Sequence, residues 1–599
     1  MPNANVQFLG QTLPIPGAYY GDNVQATLPA NPALVPPMIF IANGFGGKYC
    51  TAANYSGGAG LSALQSAMRG GPGAAFVPFI ANPSPTLFGA SQVTYINVAN
   101  NTPSTYVLND ASGHAVINLT SADYGPPSNL LQVEVEGGSQ AGIMLTLYDG
   151  YSGNAVTSDN LGFPLAIAYT GTLSSASYTV AAVSGQNATA LTLTDGAVSG
   201  QTVTFPLGSS QYGTIQQLVT AINAGSQPFT ARVLPNVSNA LQASNTLDAS
   251  TGSLAPPTNS VPNFVPVPGT KGGIASWVNT FASGFATATI ATSASGATAQ
   301  LPGLIPFTHF TGATYVPPTN NDYITALAVA ATLPGWVVFC DSNAEGVVMA
   351  GAQHAFDLSQ PDMGKPRRFI SGSSIGDTTT AAATMAQDMA VFQGTYVYPG
   401  IYAIDNSTNV NTLYGGLYAA AAVASMTCGN QIAQPLTMQP LFGTGVEVQL
   451  TEGAGGQIDL LQQAGVMPIY VSPDDGQVTI VSDFTTWQTD NNPENVFNQQ
   501  VACRQALQYS MRQGLRPYVG SIASPYGMTN MKNAAKSILN QLIYSPGNNG
   551  ILVSWDTSSL VLTYNGSTQA VSLTVNVVFV GQVRFILELT FVQPLSLAA

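Results

Sequence analysis

The sequence predicts a multi-domain α+β protein with an α/β core, a β-rich insertion, a C-terminal hairpin and two terminal arms. Three observations predict this class. Residues 101–270 alternate short β-type runs with turn dipeptides, and residues 320–480 alternate buried-strand patterns with helices. The chain ends on a strand of period two that has no later partner in the sequence. Its 599 residues are enough for about three to four domains.

The composition excludes several classes of protein. Only 7% of the residues are charged, against about 25% in ordinary soluble proteins. The apolar content of 45% is enough for folded cores, and charge-rich heptads of coiled coils are missing. A net charge of −14 would repel phosphates, so we predict no nucleic-acid partner. So little surface charge leaves weak repulsion against self-association, which suits a protein covered by copies of itself.

The first half of the chain divides at changes of pattern. Residues 1–25 contain Pro breaks and apolar pieces too short for a core, which predicts an N-terminal arm. Residues 26–100 begin a middle domain with the strand in PPMIFIANGFGGK and a helix at 61–68. Residues 101–270 are predicted to form the β-rich insertion, a sandwich or barrel-like outer domain that a Pro-rich linker closes. Its evidence is the runs LLQVEVEGG, GIMLTLYDG, ATALTLTDG and QTVTFPLG, with one helix at 214–225.

The second half has α/β character. We predict that residues 271–400 return to the middle domain and that residues 401–582 form a C-terminal core. GWVVFCD and MPIYVSP are patterns of buried strands. The clearest helix is predicted at 492–514, capped by Asn492 and with Pro493 in its first turn. A second helix at about 529–542 carries Lys532 and Lys536 on one face.

The C-terminus is predicted to be a hairpin followed by an arm. Asn565-Gly566 between two apolar runs is a strong hairpin signal. The last strand, within the arm at 583–599, places alternate side chains on opposite faces. One face holds Phe585, Leu587, Leu589 and Phe591, and the other holds Arg584, Ile586, Glu588 and Thr590.

The residues that could carry chemistry do not form a recognisable site. The three histidines make no two-histidine motif, and the four cysteines lie far apart, which favours reduced thiols. GFGGK lacks the spacing of a phosphate-binding loop, and no G-x-S-x-G element is present. We therefore predict no enzyme, no catalytic residue, no metal site and no cofactor. The basic cluster Lys365, Arg367 and Arg368 is either an intersubunit salt-bridge patch or a solvated loop.

The order of several motifs resembles that of contractile phage tail sheath proteins. LPIPGAYYGD (13–22) is similar to the Pro-Gly-x-Tyr element that follows a sheath's N-terminal arm. The β segment 117–149 and RFILELTFV (584–592) also look sheath-like. So do KPRRFISGSSIGDTTTAAATMAQDMA (365–390), YPGIY (398–402), GLYAAAAVASM (416–426), LLQQAGVMPIY (460–470) and VTIVSDFTTW (478–487).

The resemblance implies a function. Copies would form stacked rings, in this family six per ring, around an inner tail tube, and contraction of a metastable extended state would drive the tube through the host envelope. The C-terminal core would line the tube, and exchanged arms would add strands to a hairpin of a neighbour. The implied arm residues are Pro16, Tyr19, Tyr20, Arg584, Phe585, Leu587, Leu589 and Phe591, and the implied acceptor hairpin comprises Asn565, Gly566, Leu573, Val575 and Val577.

The implied partners are the chain itself, the inner tail tube protein, and baseplate and tail terminator proteins, without direct membrane insertion. The location would be the tail sheath of the virion, assembled in the host cytoplasm. Nine of the 13 basic residues lie in 365–599, and Lys532 and Lys536 among them are our candidates for contacting the tube.

Two rival functions stay open. The first is another self-assembling virion or surface-layer structural protein. The second is a secreted β-rich carbohydrate-binding or hydrolytic enzyme, although the sequence shows no paired catalytic carboxylates in a recognisable setting.

Overall fold

The structure is a computed structural model that describes residues 6–8, 11–13, 37–57, 60–182, 187–196, 202–291, 301–405, 407–490, 492–545 and 549–582. The chain divides into two compact units. The first unit comprises Met1–Gly44, Tyr49–Ala99 and Pro317–Ala599, and the second comprises Phe45–Lys48 and Asn100–Val316. Each unit is described below by itself.

The elements follow one another along the chain in three stretches. The stretch before residue 100 forms β1 (Val6–Phe8), β2 (Gln11–Leu13), β3 (Met38–Ala42), β4 (Ala52–Ser56), α1 (Gly60–Met68), α2 (Val77–Ala81) and β5 (Gln92–Asn97). The second unit forms β6 (Pro103–Asn109), β7 (Ala115–Tyr124), β8 (Leu131–Gly137), β9 (Ile143–Asp149), β10 (Asn154–Leu161), β11 (Leu165–Tyr169), β12 (Ala176–Ala182), β13 (Ala188–Thr194), β14 (Thr202–Pro206), α3 (Ile215–Ala224), β15 (Phe229–Val233), α4 (Val237–Leu241), β16 (Ser250–Leu254), β17 (Val265–Val267), α5 (Thr270–Phe281), β18 (Ala286–Ile290) and β19 (Ile305–His309). The remainder forms α6 (Asn320–Ala330), β20 (Val337–Cys340), α7 (Glu345–Leu358), β21 (Arg368–Gly372), α8 (Thr379–Met389), β22 (Gly394–Tyr398), β23 (Ile401–Ile404), β24 (Asn411–Tyr414), α9 (Gly416–Gly429), β25 (Gly445–Val446), α10 (Gln457–Gln463), β26 (Val466–Val471), β27 (Val478–Ile480), α11 (Pro493–Val496), α12 (Asn498–Leu515), α13 (Pro525–Gln541), β28 (Leu552–Trp555), β29 (Val561–Asn565), β30 (Ala570–Thr574) and β31 (Val577–Phe579).

The first unit is built on a mostly parallel sheet. Among the described residues its order is β27-β26-β22-β21-β20-β3-β5-β4, with antiparallel pairing at the two edge strands β27 and β4. The inner strands are almost entirely buried because helices cover both faces of the sheet, and β3 and β20 are continuous apolar runs. All residues of β3 and β20 are buried. The predicted buried strands in GWVVFCD and MPIYVSP are therefore confirmed as β20 and β26.

The alternation of side chains along the strands creates two cores. Met38 and Phe40 of β3 point to the layer formed by α1, α2 and α9. Ile39 and Ile41 point to the opposite layer, formed by α6, α7, α8 and α10. A strand with period two can fill both layers only when nearly every residue is apolar, which explains the composition of these segments.

Helix α9 is buried on all sides and packs unusually close to β21. Eleven of its 14 residues are buried, and five of these are Ala. A Cβ atom on Gly372 of β21 would lie 2.3 Å from the carbonyl oxygen of Gly416, so only Gly permits this approach. The small residues of GLYAAAAVASM are thus explained by backbone proximity.

A third core lies in the C-terminal part of the first unit. It joins α12, α13 and the last four strands through Cys503, Leu507, Ile538, Leu539 and Leu552. The predicted helix at 529–542 is confirmed as α13, which begins four residues earlier because Ser524 caps it by accepting a hydrogen bond from the Gly527 amide.

The predicted single helix at 492–514 is wrong in one respect. Asn492 caps a short helix, α11, as expected, but Phe497 is extended and separates α11 from α12. Phe497 forms an antiparallel bridge with Phe484, and their rings stack at a centroid distance of 5.4 Å. This tertiary pairing competes successfully with the helical hydrogen bonds that the local pattern predicts.

The second unit is β-rich and contains two cores. One holds the sheets β18-β7-β6 and β10-β9-β8-β19 with α5, and the other holds β15-β11-β17 and β14-β13-β12-β16 with α3. The second core is inserted in sequence within the first, between β10 and α5. The predicted boundary at residue 270 falls inside this unit, and the predicted linker at 256–269 contains β17. The mixed α+β multi-domain class is confirmed, whereas an outer location of this unit stays a prediction.

The carboxyl end of β20 carries an enclosed carboxyl group. Asp341 Oδ1 accepts a hydrogen bond from Tyr323 Oη at 2.6 Å, and its Oδ2 accepts one from the Asn43 amide at 2.7 Å. Burial raises the pKa of Asp341 to about 6, although both hydrogen bonds favour the ionised form. The folded chain therefore binds the Asp341 proton more tightly than the unfolded chain, whose ordinary pKa is 3.8.

We predict that Asp341 makes the folded chain less stable as the pH rises from about 4 to about 6. Relative to Asp341→Asn, the unfolding free energy of the wild type should fall by about 3 kcal/mol across this interval and stay constant above it. Urea unfolding at a series of pH values measures this difference. Tyr323→Phe removes a donor to the carboxylate, so it should raise the pKa of Asp341 further and extend the fall to higher pH. A flat difference curve would contradict the prediction.

Candidate assembly surface

The strands at the end of the described chain leave backbone edges open. The strand layer, residues 549–582, contains two antiparallel ladders, β28 with β31 and β29 with β30. Among the described residues, β29 and β30 pair only with each other. Their outer edges therefore present N–H and C=O groups that can accept a further strand.

The two faces of the strand layer differ in burial. Leu562, Leu573 and Phe579 are partly buried against the core of α12 and α13. On the opposite face Val553 and Val578 are 57% and 55% exposed. Exposed aliphatic side chains beside open strand edges are typical of a surface that another chain covers.

The predicted acceptor hairpin is present, but its turn is longer than the sequence suggests. Asn565 ends β29, and Gly566 begins a four-residue turn at 566–569. Asn565 Oδ1 accepts hydrogen bonds from the amide of Ser567 at 3.0 Å and from its hydroxyl at 2.7 Å, which stabilise this turn. The two-residue Asn-Gly turn is therefore wrong, whereas the position of the hairpin is confirmed.

The other predicted acceptor residues occupy three different settings. Leu573 lies on the inner side of β30, Val575 lies in the link between β30 and β31, and Val577 begins β31. The predicted run 570–581 is thus divided between two ladders rather than forming one strand. The acceptor role of these residues stays a prediction.

The two lysines predicted to contact a tube lie one turn apart on α13. Both side chains are half-buried. Neither the Lys532 nor the Lys536 ammonium has a hydrogen bond or ion pair with a residue that the structure describes. The tube contact itself stays a prediction.

The predicted arm residues lie outside the described residues. These are Pro16, Tyr19 and Tyr20 in the N-terminal arm, and Arg584, Phe585, Leu587, Leu589 and Phe591 in the C-terminal arm.

The last described residues are tightly held. The carbonyl of Val580 accepts hydrogen bonds from Nε2 of Gln499 and Nε2 of Gln500, both at 2.9 Å. The amide of Val580 donates to the carbonyl of Ile551 at 2.9 Å. Gln582 Oε1 accepts a hydrogen bond from Thr437 Oγ1 at 2.7 Å. Specific hydrogen bonds therefore hold residues 580–582, the departure point of the predicted C-terminal arm.

A buried polar cluster supports this departure point. The backbone carbonyl of Asp483 accepts a hydrogen bond from the Asn498 amide at 3.1 Å, and its carboxylate Oδ2 accepts one from the Gln499 amide at 3.2 Å. Asp483 thus caps α12 from a distant segment. The residue preceding α12 is Phe497, whose side chain has no acceptor for these amides. The Asp483 amide in turn donates to Thr437 Oγ1 at 3.1 Å.

Arg368 supplies the positive charge of the same cluster. Its Nη1 donates to Asn498 Oδ1 at 3.0 Å, and Arg368 and Asp483 both line a cavity of about 10 Å³. Burial raises the pKa of Asp483 to about 6, although hydrogen bonds and the nearby Arg368 favour its charge. Burial also lowers the pKa of Arg368. Desolvation thus outweighs the attraction between the two charges.

This cluster corrects the interpretation of the basic segment. Arg367 and Arg368 are 2% and 3% exposed, so they form neither an intersubunit patch nor a solvated loop. Arg367 Nη2 donates to the carbonyl of Ala330 at 3.0 Å, which satisfies part of its guanidinium inside the protein. Lys365 is half-buried and donates to the carbonyl of Ala331 at 2.6 Å.

Sequence reasoning missed the residues that hold the departure point. Thr437, Gln499 and Gln582 are ordinary polar residues in a chain rich in them. Asp483 offered one signal, since it is the single charged residue in VTIVSDFTTW, directly after a buried strand. A carboxylate that follows a buried strand can itself be buried only if it has hydrogen-bond or charge partners. The partners of Asp483 come from segments distant in the sequence, so the local pattern does not identify them.

We predict that Arg368→Met destabilises the chain by about 3–5 kcal/mol, because it leaves the Asp483 carboxylate buried without its cation. The double variant Arg368→Met/Asp483→Asn should recover part of this loss, since it removes both charges together. Urea unfolding at pH 7 measures both effects. Equal stability of the single and double variants would show that the two charges are not coupled.

The described residues show no other kind of site. None of the helices in the described part of the chain is long and apolar enough to cross a bilayer. Within the same residues, no group of three or more His, Cys, Asp or Glu side chains is placed to hold a metal ion.

Comparison with known proteins gives one sequence relative. No protein-family model matches the chain. A tail sheath protein of Bacillus phage SP01 is 28% identical over 251 residues, which are 41% of this chain and 42% of the relative. The match thus spans less than half the length of that curated relative.

Solved structures share the fold. A sheath tail protein from Listeria innocua aligns with a TM-score of 0.53 and 10% identity, covering 91% of this chain and 94% of that one. A sheath tail protein from Desulfitobacterium hafniense aligns with a TM-score of 0.51 and 11% identity, covering 94% and 99%. At these identities the likeness concerns the fold alone. This chain is therefore similar in sequence to one tail sheath protein and in fold to two sheath tail proteins.

Proposed function

We propose that this chain is a non-enzymatic structural protein of a contractile phage tail. Copies polymerise as stacked rings, six per ring, around the inner tail tube in a metastable extended state. Contraction then drives the tube through the host envelope without a chemical fuel. The sheath is part of the virion and assembles in the host cytoplasm.

The observation that carries this proposal is the open strand layer at 549–582. Its outer strand edges lack ladder partners among the described residues, and aliphatic side chains of its outer face are exposed. Addition of a strand from another copy supplies main-chain hydrogen bonds, each worth about 0.5–1.5 kcal/mol net. With only 7% charged residues, contacts between copies rest on backbone pairing, shape and apolar area.

The donors of these strands are the two terminal arms. The N-terminal arm contributes Pro16, Tyr19 and Tyr20. The C-terminal arm contributes one apolar face, formed by Phe585, Leu587, Leu589 and Phe591. The acceptor is the strand layer around Asn565, Gly566, Leu573, Val575 and Val577. These links persist while contacts between rings change during contraction.

The remaining partners follow from the same proposal. Residues 401–582 line the tube, and Lys532 and Lys536 contact acidic groups on it. The ends of the sheath contact baseplate and tail terminator proteins. The β-rich second unit faces outward.

We predict that a chain lacking residues 583–599 stays a soluble monomer, because the donor strand is missing. Full-length protein should form hollow striated cylinders under electron microscopy. Deletion of 593–599 alone keeps the predicted strand and serves as the matched control. Ordered tubes from the chain lacking 583–599 would contradict strand exchange by the C-terminal arm. Shells or flat lattices from the full chain would favour another virion or surface-layer protein.

We predict that Lys532→Glu/Lys536→Glu weakens assembly on isolated tail tubes, since both ammonium groups are replaced by carboxylates facing an acidic partner. Lys532→Arg/Lys536→Arg preserves the charge and should assemble normally. Co-sedimentation with tubes measures the difference, with circular dichroism as the test of folding. Normal co-sedimentation of the Glu variant would exclude these lysines as the tube contact.

A further inference from the structure

A groove lies directly beside the departure point of the C-terminal arm. It has a volume of about 390 Å³ and belongs entirely to the first unit. Its lining comes from the segment after α9, the Gly-rich segment before α10, α10 itself and the ends of β26 and β27. Representative residues are Thr437, Met438, Glu452, Ile458, Asp459 and Tyr470.

The lining combines apolar and acidic groups. Ile458 and Tyr470 are buried, and Met438 is 51% exposed, so the groove offers apolar surface to an occupant. Two carboxylates, Glu452 and Asp459, lie among the lining residues. Such a groove suits an extended segment that carries apolar side chains and a single positive charge.

The position of Gln582 identifies an occupant. Its side chain accepts a hydrogen bond from Thr437, which itself lines the groove. The side-chain nitrogen of Gln582, Nε2, is buried and has no acceptor among the described residues. The described chain therefore ends beside a residue that lines the groove.

The sequence that follows matches the groove in chemistry. Arg584 is the only basic residue after Lys536, and it lies two residues beyond Gln582, within about 7 Å of extended chain. Phe585 and Leu587 come next on one face of the predicted strand. Arg584 thus supplies one positive charge to complement the two carboxylates, and Phe585 and Leu587 supply apolar side chains.

We propose that residues 583–592 occupy this groove of their own chain before assembly and move to a neighbouring copy during assembly. The groove then protects an apolar strand that would otherwise pair prematurely with other chains. The proposal uses the C-terminal arm of the proposed function, but occupation of the groove by the chain's own segment does not depend on tube formation.

Photo-cross-linking tests the occupant directly. A benzophenone amino acid replaces Met438, and dilute full-length monomer is irradiated and examined by gel and mass spectrometry. We expect cross-links to peptides within 583–599 in a product of monomer size. The matched control carries the same amino acid at Phe442, which is 50% exposed and does not line the groove, and should give no such product.

Charge variants supply an independent measurement. Glu452→Lys/Asp459→Lys should lower the yield of the monomeric cross-link about fivefold, as expected for loss of a partly exposed ion pair, and should speed polymerisation. Adding Arg584→Glu to this variant should restore the yield. Absence of any cross-link to 583–599, or cross-links found only in dimers, would overturn the proposal.

The cross-linking experiment can fail while the proposed function holds, and the reverse is also true. Monomeric cross-links together with tubes from the chain lacking 583–599 would support the groove and reject arm exchange. Striated tubes that depend on 583–599, without monomeric cross-links, would support exchange and reject the groove.

Discussion

One buried acidic residue, Asp483, connects distant parts of the first unit through hydrogen bonds. It caps α12, whose preceding residue is Phe497 and cannot act as a cap. Its backbone amide donates to Thr437, the residue that holds Gln582. Arg368, at the start of β21, reaches the same site through Asn498. The central sheet, the C-terminal helices and the end of the described chain at Gln582 are therefore joined through one desolvated polar cluster.

The first unit contains a sheet that is covered on both faces and a strand layer that is covered on one face only. Its central sheet is covered on both faces, so that strands such as β3 and β20 are apolar throughout. The strand layer at 549–582 is covered on one face only, and its edges have no further strands among the described residues. A monomer that keeps such edges is poised to add strands. Low surface charge acts in the same direction, because few repulsive contacts oppose close packing of copies.

Local pattern predicted elements reliably where tertiary structure agrees with it. The capping box of Thr214 and Gln217 begins α3 and Gly225 ends it, as the run TIQQLVTAINAG indicates. Prediction was wrong where a remote contact is stronger than local preference. Phe497 interrupts a helical pattern because it pairs with Phe484, and Asn565 forms a longer turn because its side chain binds Ser567. The basic segment was misjudged for the same reason, since Arg367 and Arg368 bind partners distant in sequence.

The sequence by itself determined the mixed α+β class, the buried strands, most of the helices, the position of the hairpin and the family resemblance. These depend on periodicity, capping residues and motif order, which are local properties of the chain. Only the tertiary structure decided the strand order of the central sheet, the division of 570–581 between two ladders and the grouping of Arg368, Asp483 and Thr437. The physical reason is that a buried polar group takes its partners from whichever segments the fold brings near, and a linear pattern does not record that proximity.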